Sequence, residues 1–186
     1  MNELQEYRIE LLNRLERQPE EFSATLAALP EAQWFGWHVA DGRSVHLVMA
    51  HVRDLEALAF LPRFRRVLTE ADPILEPFPS HNWSTEQYNH AEPLAVMLAD
   101  FARARAETVN LVHSLHPGDW SRRGFHPPSG WRTAQWWAER MYTHAQRHLT
   151  DIRRGLGRLK TRPIVPLSAR GRSWLPPGPE REDDLT

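Results

Sequence analysis

Apolar residues recur at helical spacing along most of the chain, and this pattern predicts an all-α protein. Leucine and alanine dominate the aliphatic positions, while the runs of β-branched residues that indicate strands are absent. The first apolar stripe lies within residues 2–28 and comprises Leu4, Ile9, Leu11, Leu12 and Leu15. Pro19 interrupts this stripe, so we expect the first helix to end near Arg17 and to resume after a kink. The resumed piece ends at Pro30 and carries Phe22, Leu26 and Leu29.

A second helix is predicted to follow Ser44, which is a favourable N-cap residue. We expect this helix to run from about Val45 to Leu61. Its apolar face carries Val48, His51, Val52, Leu55 and Leu58. Pro62 is expected to end or bend the helix, and residues 64–68 to continue it.

The third predicted helix spans about residues 92–115, with Pro93 in its first turn. About 24 residues connect it to the second helix, whereas about 15 residues connect the first two helices. The longer connection is sufficient to cross the full length of a bundle. We therefore expect a four-helix bundle of up-down-down-up topology, with a long crossover between helices two and three and with these two helices parallel.

The fourth helix is predicted to begin near Trp131 or Arg132, or alternatively with Thr133 as its N-cap. Gly155 and Gly157 are expected to end this helix after Arg154. The segment before this helix, residues 117–130, is rich in proline and glycine and is predicted to be a loop.

Length and composition restrict the domain organisation and the functional class. The 186 residues suit one domain over residues 1–157 and a proline-rich tail over residues 158–186. The chain has no cysteine, which excludes disulfides, thiolate metal sites and a cysteine nucleophile. The net charge of −1 argues against nucleic acid as a partner, and no apolar run is long enough for a membrane span. The N-terminal residues 1–6 do not resemble a signal peptide, so we expect a cytoplasmic protein.

Three of the 10 histidines lie on apolar stripes, where an imidazole needs a partner. His144 and His148 are four residues apart on the fourth helix, so both rings share one face. His51 lies near the start of the second helix, which the expected topology brings to the same end of the bundle. Pairs with this spacing also arise by chance, but the third histidine favours a site for one divalent metal ion. Glu56 and Asp151 are the acidic candidates for orienting the rings, although Asp151 suits an ion pair with a nearby arginine better.

The approach to the third helix carries candidate pocket residues. Trp83, Tyr88 and Asn89 are expected to line the site, and packing at the start of the helix is the competing interpretation for each. His90 is a reserve metal ligand. Five further histidines are expected to be solvated imidazoles: His46, His81, His113, His116 and His126.

Three short motifs resemble the DinB-like (YfiT-like) superfamily of metal-dependent enzymes. Residues 44–56, SVHLVMAHVRDLE, are similar to the family's second-helix signature. Residues 119–133 and the His-x-x-x-His segment at residues 144–152 are similar to its last helix and the segment before it. The resemblance covers roughly residues 5–155. One departure is Asp151, where family members usually have glutamine.

The resemblance has implications for fold, cofactor and reaction. It implies the same up-down-down-up bundle, and it places His51, His144 and His148 on the family's three metal-ligand positions. It implies a divalent metal ion, with zinc or nickel most common and iron or manganese as further choices. Characterised relatives are transferases or isomerases that use low-molecular-weight thiols, so a small-molecule substrate and a thiol partner are implied.

The sequence leaves two functions open. The first is a metal-dependent enzyme, either a thiol-dependent S-transferase or a hydrolase. The alternative is a metal-stabilised binding or stress-response protein without turnover. A homodimer is also expected, because the neighbouring Trp136 and Trp137 point about 100° apart and only one can lie on the histidine stripe. The proline-rich tail is the other surface that could cover the second ring.

Overall fold

The computed structural model describes residues 2–27, 29–30, 33–35, 39, 42–78, 83 and 86–159. Its helices are α1 (Glu3–Ala27), α2 (Val45–Asp54), a π-helix (Leu55–Phe60), α3 (Leu61–Thr69), α4 (Leu94–His113) and α5 (Ala134–Leu159). The second bundle helix consists of α2, the π-helix and α3, which follow one another without a break. Most of the predicted tail and His81 lie outside the described residues.

Contacts between helices give their relative directions. The second bundle helix and α4 are parallel, because Arg53 pairs with Glu92 near both starts and Arg65 pairs with Glu107 further along both helices. Helix α1 is parallel to α5, because Tyr7 contacts Glu139 near both starts and Glu21 contacts Arg153 near both ends. Helix α1 is antiparallel to α4, as the pairs Glu16–His113 and Phe22–Phe101 show. The up-down-down-up bundle with its long crossover is therefore confirmed.

Helix α1 continues through Pro19, so the predicted division into two pieces is wrong. A proline inside a helix removes one backbone hydrogen bond and disfavours its continuation. Here Leu15, Gln18 and Phe22 are fully buried on both sides of the proline. Their packing against the other helices holds this turn together and overrides the local preference.

The π-helix changes which side chains of the second bundle helix face the interior. Leu58, which the helical pattern placed on the buried face, is 63% exposed. A π-helical turn contains an extra residue, so the positions after it rotate around the helix axis. Ala59, Phe60 and Leu61 are buried instead.

Residues 123–133 form a small hairpin rather than the predicted loop. Strand β1 (Arg123–His126) pairs antiparallel with β2 (Gly130–Thr133). The backbone N–H of Leu75 donates to the carbonyl of Phe125 at 2.7 Å, and the N–H of Phe125 donates to the carbonyl of Pro73 at 2.8 Å. The hairpin is therefore held by a segment some 50 residues away in sequence. Such a distant partner leaves no local signal, and this explains why the sequence pattern missed the strands.

Helix α5 starts and ends beyond the first predicted bounds. Its start agrees with the Thr133 alternative, since the Thr133 hydroxyl accepts a hydrogen bond from the backbone N–H of Trp136 at 3.2 Å. Gly155 and Gly157 do not end the helix, which continues to Leu159. Among the described residues, no helix is both long and apolar enough to cross a membrane.

Candidate metal centre

Three histidine side chains from two helices meet in the interior of the bundle. The Nε2 atom of His144 lies 3.3 Å from Nε2 of His51 and 3.2 Å from Nε2 of His148. The ring centroids are 4.6, 5.1 and 5.2 Å apart. One ligand nitrogen from each ring lies within 4.8 Å of the other two, so the three side chains can point at one ion.

The positions of these rings follow from helix geometry. His144 and His148 are one turn apart on α5 and therefore share a face. The start of α2 is fixed by Ser44, whose hydroxyl accepts a hydrogen bond from the backbone N–H of Leu47 at 3.1 Å. This cap places His51 in the second turn of α2. Because the second bundle helix runs antiparallel to α5, that turn lies level with the His144–His148 pair.

Burial keeps two of the imidazoles neutral. All three rings are at least 95% buried. Burial, with smaller effects from the other two histidines, lowers the pKa of His144 well below 6.5. Burial, followed by the positive charges of Arg43 and Arg147, lowers the pKa of His148 to about 3. Both side chains therefore carry a free nitrogen lone pair at neutral pH, which is the form that binds metal.

The geometry and the chemistry of the three nitrogens fit a divalent ion. Two nitrogens that bind one tetrahedral zinc ion at 2.0–2.1 Å are about 3.3 Å apart. The two Nε2 separations in the structure, 3.3 and 3.2 Å, agree with this value. Nδ1 of His148 is buried and has no hydrogen-bond partner within the described part of the chain.

Two aromatic side chains pack on the histidine cluster. Trp83 meets the His51 ring edge to face at a centroid distance of 5.5 Å, and Phe60 meets His144 in the same way at 5.3 Å. Trp83 is anchored by a 2.9 Å hydrogen bond from its indole N–H to the carboxylate of Asp54. Burial raises the pKa of Asp54, and its ion pair with Arg53 opposes that shift.

Of the predicted pocket residues, Trp83 contacts the histidine cluster and the other three do not. Tyr88 donates its hydroxyl hydrogen bond to Nδ1 of His46 at 2.7 Å, and Asn89 accepts one from the backbone N–H of Ala91. His90 is exposed, and its ring lies 6.4 Å from that of Tyr88. The structure therefore does not bring His90 to the proposed ligands.

Two of the histidines expected to be solvated are buried. His46 has no exposed surface, and its second ring nitrogen donates to the backbone carbonyl of Glu92 at 2.7 Å. Burial lowers the pKa of His46. His126 is 2% exposed and lies at the end of strand β1, in the hairpin that the sequence did not predict. His113 and His116 are exposed as expected.

Neither predicted acidic residue contacts the cluster in the described structure. Glu56 accepts two hydrogen bonds from Arg105, at 2.8 and 2.9 Å, and both side chains are almost fully buried. Asp151 forms a longer ion pair with Arg154 at 3.7 Å. A sequence signal for the buried Glu56–Arg105 pair was present. Arg105 is a charged residue on the apolar stripe of α4, between Phe101 and Val109.

Comparison with known proteins places this architecture in a family. A sequence model of the DinB superfamily matches residues 14–152. Relatives from Bacillus cereus and Bacillus anthracis, each named "Putative metal-dependent hydrolase", are 27% identical over 149 residues, which is 78% of this chain and 84% of theirs. YfiT from Bacillus subtilis, described as a probable metal-dependent hydrolase with an unusual four-helix bundle topology, superposes with a TM-score of 0.78 at 19% identity, covering 86% of this chain and 90% of that one. The family match spans most of the bundle, and the protein therefore belongs to the DinB superfamily.

Proposed function

We propose that His51, His144 and His148 bind one divalent metal ion through their Nε2 atoms, and that the protein is a metal-dependent hydrolase of a small molecule. The observation that carries this proposal is the convergence of three buried imidazoles, with Nε2 separations of 3.2 and 3.3 Å. The names of the Bacillus relatives support hydrolysis as the class of reaction.

Zinc or nickel is the expected metal. Imidazole nitrogen suits zinc and nickel, and also iron, whereas manganese prefers oxygen ligands. Three protein ligands leave a coordination position for water or substrate, and an ion held in this way lowers the pKa of a water or thiol that binds there. Trp83 and Phe60 pack against His51 and His144.

The charges around the site favour a substrate with an anionic group. The positive charges of Arg43, Arg147 and Arg140 lower the pKa of His148, so a positive potential reaches the site. A low-molecular-weight thiol is the alternative second reactant, and the reaction would then be an S-transfer. The chain has no cysteine, so such a thiol would have to arrive with the cosubstrate.

A metal-stabilised protein without turnover is the second candidate. The near-complete burial of all three rings favours it, because structural sites are commonly sealed by side chains. Such a site would connect α2 to α5 and would raise the stability of the bundle without leaving a position for substrate.

Metal stoichiometry tests the ligand set. Protein prepared without a nickel column, stripped with chelator and titrated calorimetrically with zinc chloride is expected to bind one equivalent. His144→Ala should reduce the affinity at least 100-fold, because only two nitrogens remain. His116→Ala is the matched control, since its side chain is 87% exposed and carries the same chemistry. Equal zinc binding by the two variants would overturn the proposal.

The visible spectrum of cobalt-substituted protein separates the enzyme from the structural protein. An open coordination position predicts that sodium azide or a small thiol changes the d–d bands. A spectrum that neither probe changes would indicate a sealed site and would support the structural alternative.

A further inference from the structure

Three nitrogen atoms near the hairpin are buried without a hydrogen-bond partner. These atoms are Nε2 of His126, Nε1 of Trp137 and Nε of Arg132, and none of them has a partner within the described part of the chain. His126 and Trp137 are 2% and 1% exposed. Buried polar groups are paired in the large majority of cases, so three such atoms in one region require an explanation.

These atoms belong to one cluster. The rings of His126 and Trp137 meet edge to face at a centroid distance of 5.5 Å. The guanidinium carbon of Arg63 lies 5.6 Å from the centre of the Trp137 ring. Trp136 connects Arg132 to this group, because the Trp136 ring lies 4.9 Å from the Trp137 ring and 5.0 Å from the guanidinium carbon of Arg132.

The cluster carries positive charge that no carboxylate neutralises within the described residues. Arg63 is 6% exposed and donates two hydrogen bonds to the backbone carbonyl of Glu76, at 2.7 and 3.0 Å. Arg132 donates to the carbonyl of Trp131 at 3.1 Å. Burial lowers the pKa of Arg63 to about 10, which still leaves it charged at neutral pH.

The hydrogen-bonding capacity of the cluster is that of a donor. An indole nitrogen and a guanidinium donate and cannot accept. Nδ1 of His126 lies 2.8 Å from the Ser129 hydroxyl. In the tautomer in which that hydroxyl donates to Nδ1, Nε2 of His126 carries the proton and is also a donor.

We propose that His126, Trp137, Arg132 and Arg63 bind a small oxyanion, a carboxylate or a phosphate. Its oxygen atoms accept hydrogen bonds from the free N–H groups, and its charge neutralises the two guanidinium groups. The site is separate from the three metal-binding histidines, with Phe60 between Trp137 and His144 at centroid distances of 6.4 and 5.3 Å. It does not depend on the proposed hydrolase activity.

A single water molecule is the competing occupant. It could accept a hydrogen bond from Trp137 and donate one to Nε2 of His126 in the other tautomer. Water would leave the charges of Arg63 and Arg132 without an anion, and it would make the cluster insensitive to added oxyanions.

Nuclear magnetic resonance of the tryptophan indole groups distinguishes these occupants. The indole N–H signal of Trp137 is assigned from its loss in Trp137→Phe. The wild-type protein is then titrated with sodium phosphate and, separately, with sodium acetate, against sodium chloride at the same ionic strength. We expect the Trp137 signal to move saturably with at least one oxyanion, while the signal of Trp120 stays in place. A response to phosphate alone identifies a tetrahedral ligand, and a response to acetate alone identifies a carboxylate.

Two arginine variants test whether the response is specific. Arg63→Met should weaken the oxyanion affinity at least tenfold. Arg65→Met removes the same charge from the same helix at an exposed position and should change the affinity less than twofold. Equal weakening in the two variants would overturn the proposal. If Arg63→Met does not fold, the wild-type titration decides alone, because a Trp137 signal that responds to the oxyanions only as it does to chloride also overturns it.

Discussion

Replacing Arg105 by methionine should destabilise the bundle more than any exposed substitution. The Arg105 guanidinium donates two hydrogen bonds to Glu56, at 2.8 and 2.9 Å, a third to Gln18 and a longer one to the carbonyl of Met141. These partners lie on α1, the π-helix and α5, while Arg105 is on α4. One side chain therefore connects all four bundle helices.

The structure sets the magnitude of this effect. Arg105 and Glu56 are 1% and 2% exposed, so loss of the arginine leaves a buried carboxylate whose remaining hydrogen bond comes from Thr108 at 3.1 Å. Breaking a buried ion pair in this way costs about 3–5 kcal/mol of unfolding free energy. For a chain of this length, that corresponds to a fall in melting temperature of about 10 °C.

A double variant separates the interaction from the loss of packing. Glu56→Met combined with Arg105→Met removes both charges and keeps apolar volume in their place. Replacing both partners of a buried pair is often neutral, so the double variant should be at least as stable as Arg105→Met alone. Arg103→Met is the matched control, because its side chain is 73% exposed and its loss should cost less than about 0.5 kcal/mol.

Urea unfolding followed by circular dichroism measures these differences. The reasoning would be refuted by an Arg105→Met variant that loses less than about 1 kcal/mol, since the buried carboxylate would then have found solvent. The reasoning would also be refuted if the stability lost by the double variant equalled the sum of the losses of Arg105→Met and Glu56→Met, because independent sites are additive.

Three further predictions concern pH, the wall of the metal centre and assembly. Burial and the neighbouring arginines lower the pKa of His126 to about 4 from 6.5, so the unfolded chain takes up a proton first as the pH falls. Relative to His126→Gln, the wild type should lose at most about 3 kcal/mol of unfolding free energy between pH 6.5 and 4, and equal urea midpoints at each pH would contradict this. Trp83→Phe keeps the ring beside His51 but removes the hydrogen bond to buried Asp54, so unfolding free energy should fall by about 1–2 kcal/mol in the same assay, and no change would contradict it. Light scattering should give twice the mass of one chain, since Trp131 is 46% exposed beside half-buried Trp136 and aromatic residues are enriched in interfaces; the mass of a single chain would contradict this.

Helical periodicity and connection lengths together were sufficient to predict the convergence of the three histidines. The spacing of His144 and His148 fixes their common face, and the connection lengths fix which end of the second bundle helix lies beside them. Ser44 starts that helix in the structure as it did in the sequence pattern. Each of these steps depends on a local rule or on a chain length, and such information is present in one sequence.

The parts that the sequence did not predict depend on distant partners. Strand β1 pairs with the segment around Leu75, and His126 on that strand is buried. The π-helix moves Phe60 towards His144, although the periodic pattern continued the ordinary helix and placed Leu58 inward. Glu56 was expected to orient a histidine, but Arg105 on another helix binds it. In each case the competing partner is dozens of residues away.

Buried polar residues have three different outcomes here. Glu56 and Arg105 combine acceptors with donors and satisfy each other inside the bundle. The three clustered histidines present nitrogen lone pairs to one point, and the complement of several lone pairs is a cation. The cluster around Trp137 presents donors and positive charge, and the complement of these is an anion. The balance of donors and acceptors in each cluster therefore distinguishes a structural pair from a candidate ligand site. Working out this balance requires the tertiary structure, because each cluster includes side chains from different parts of the chain.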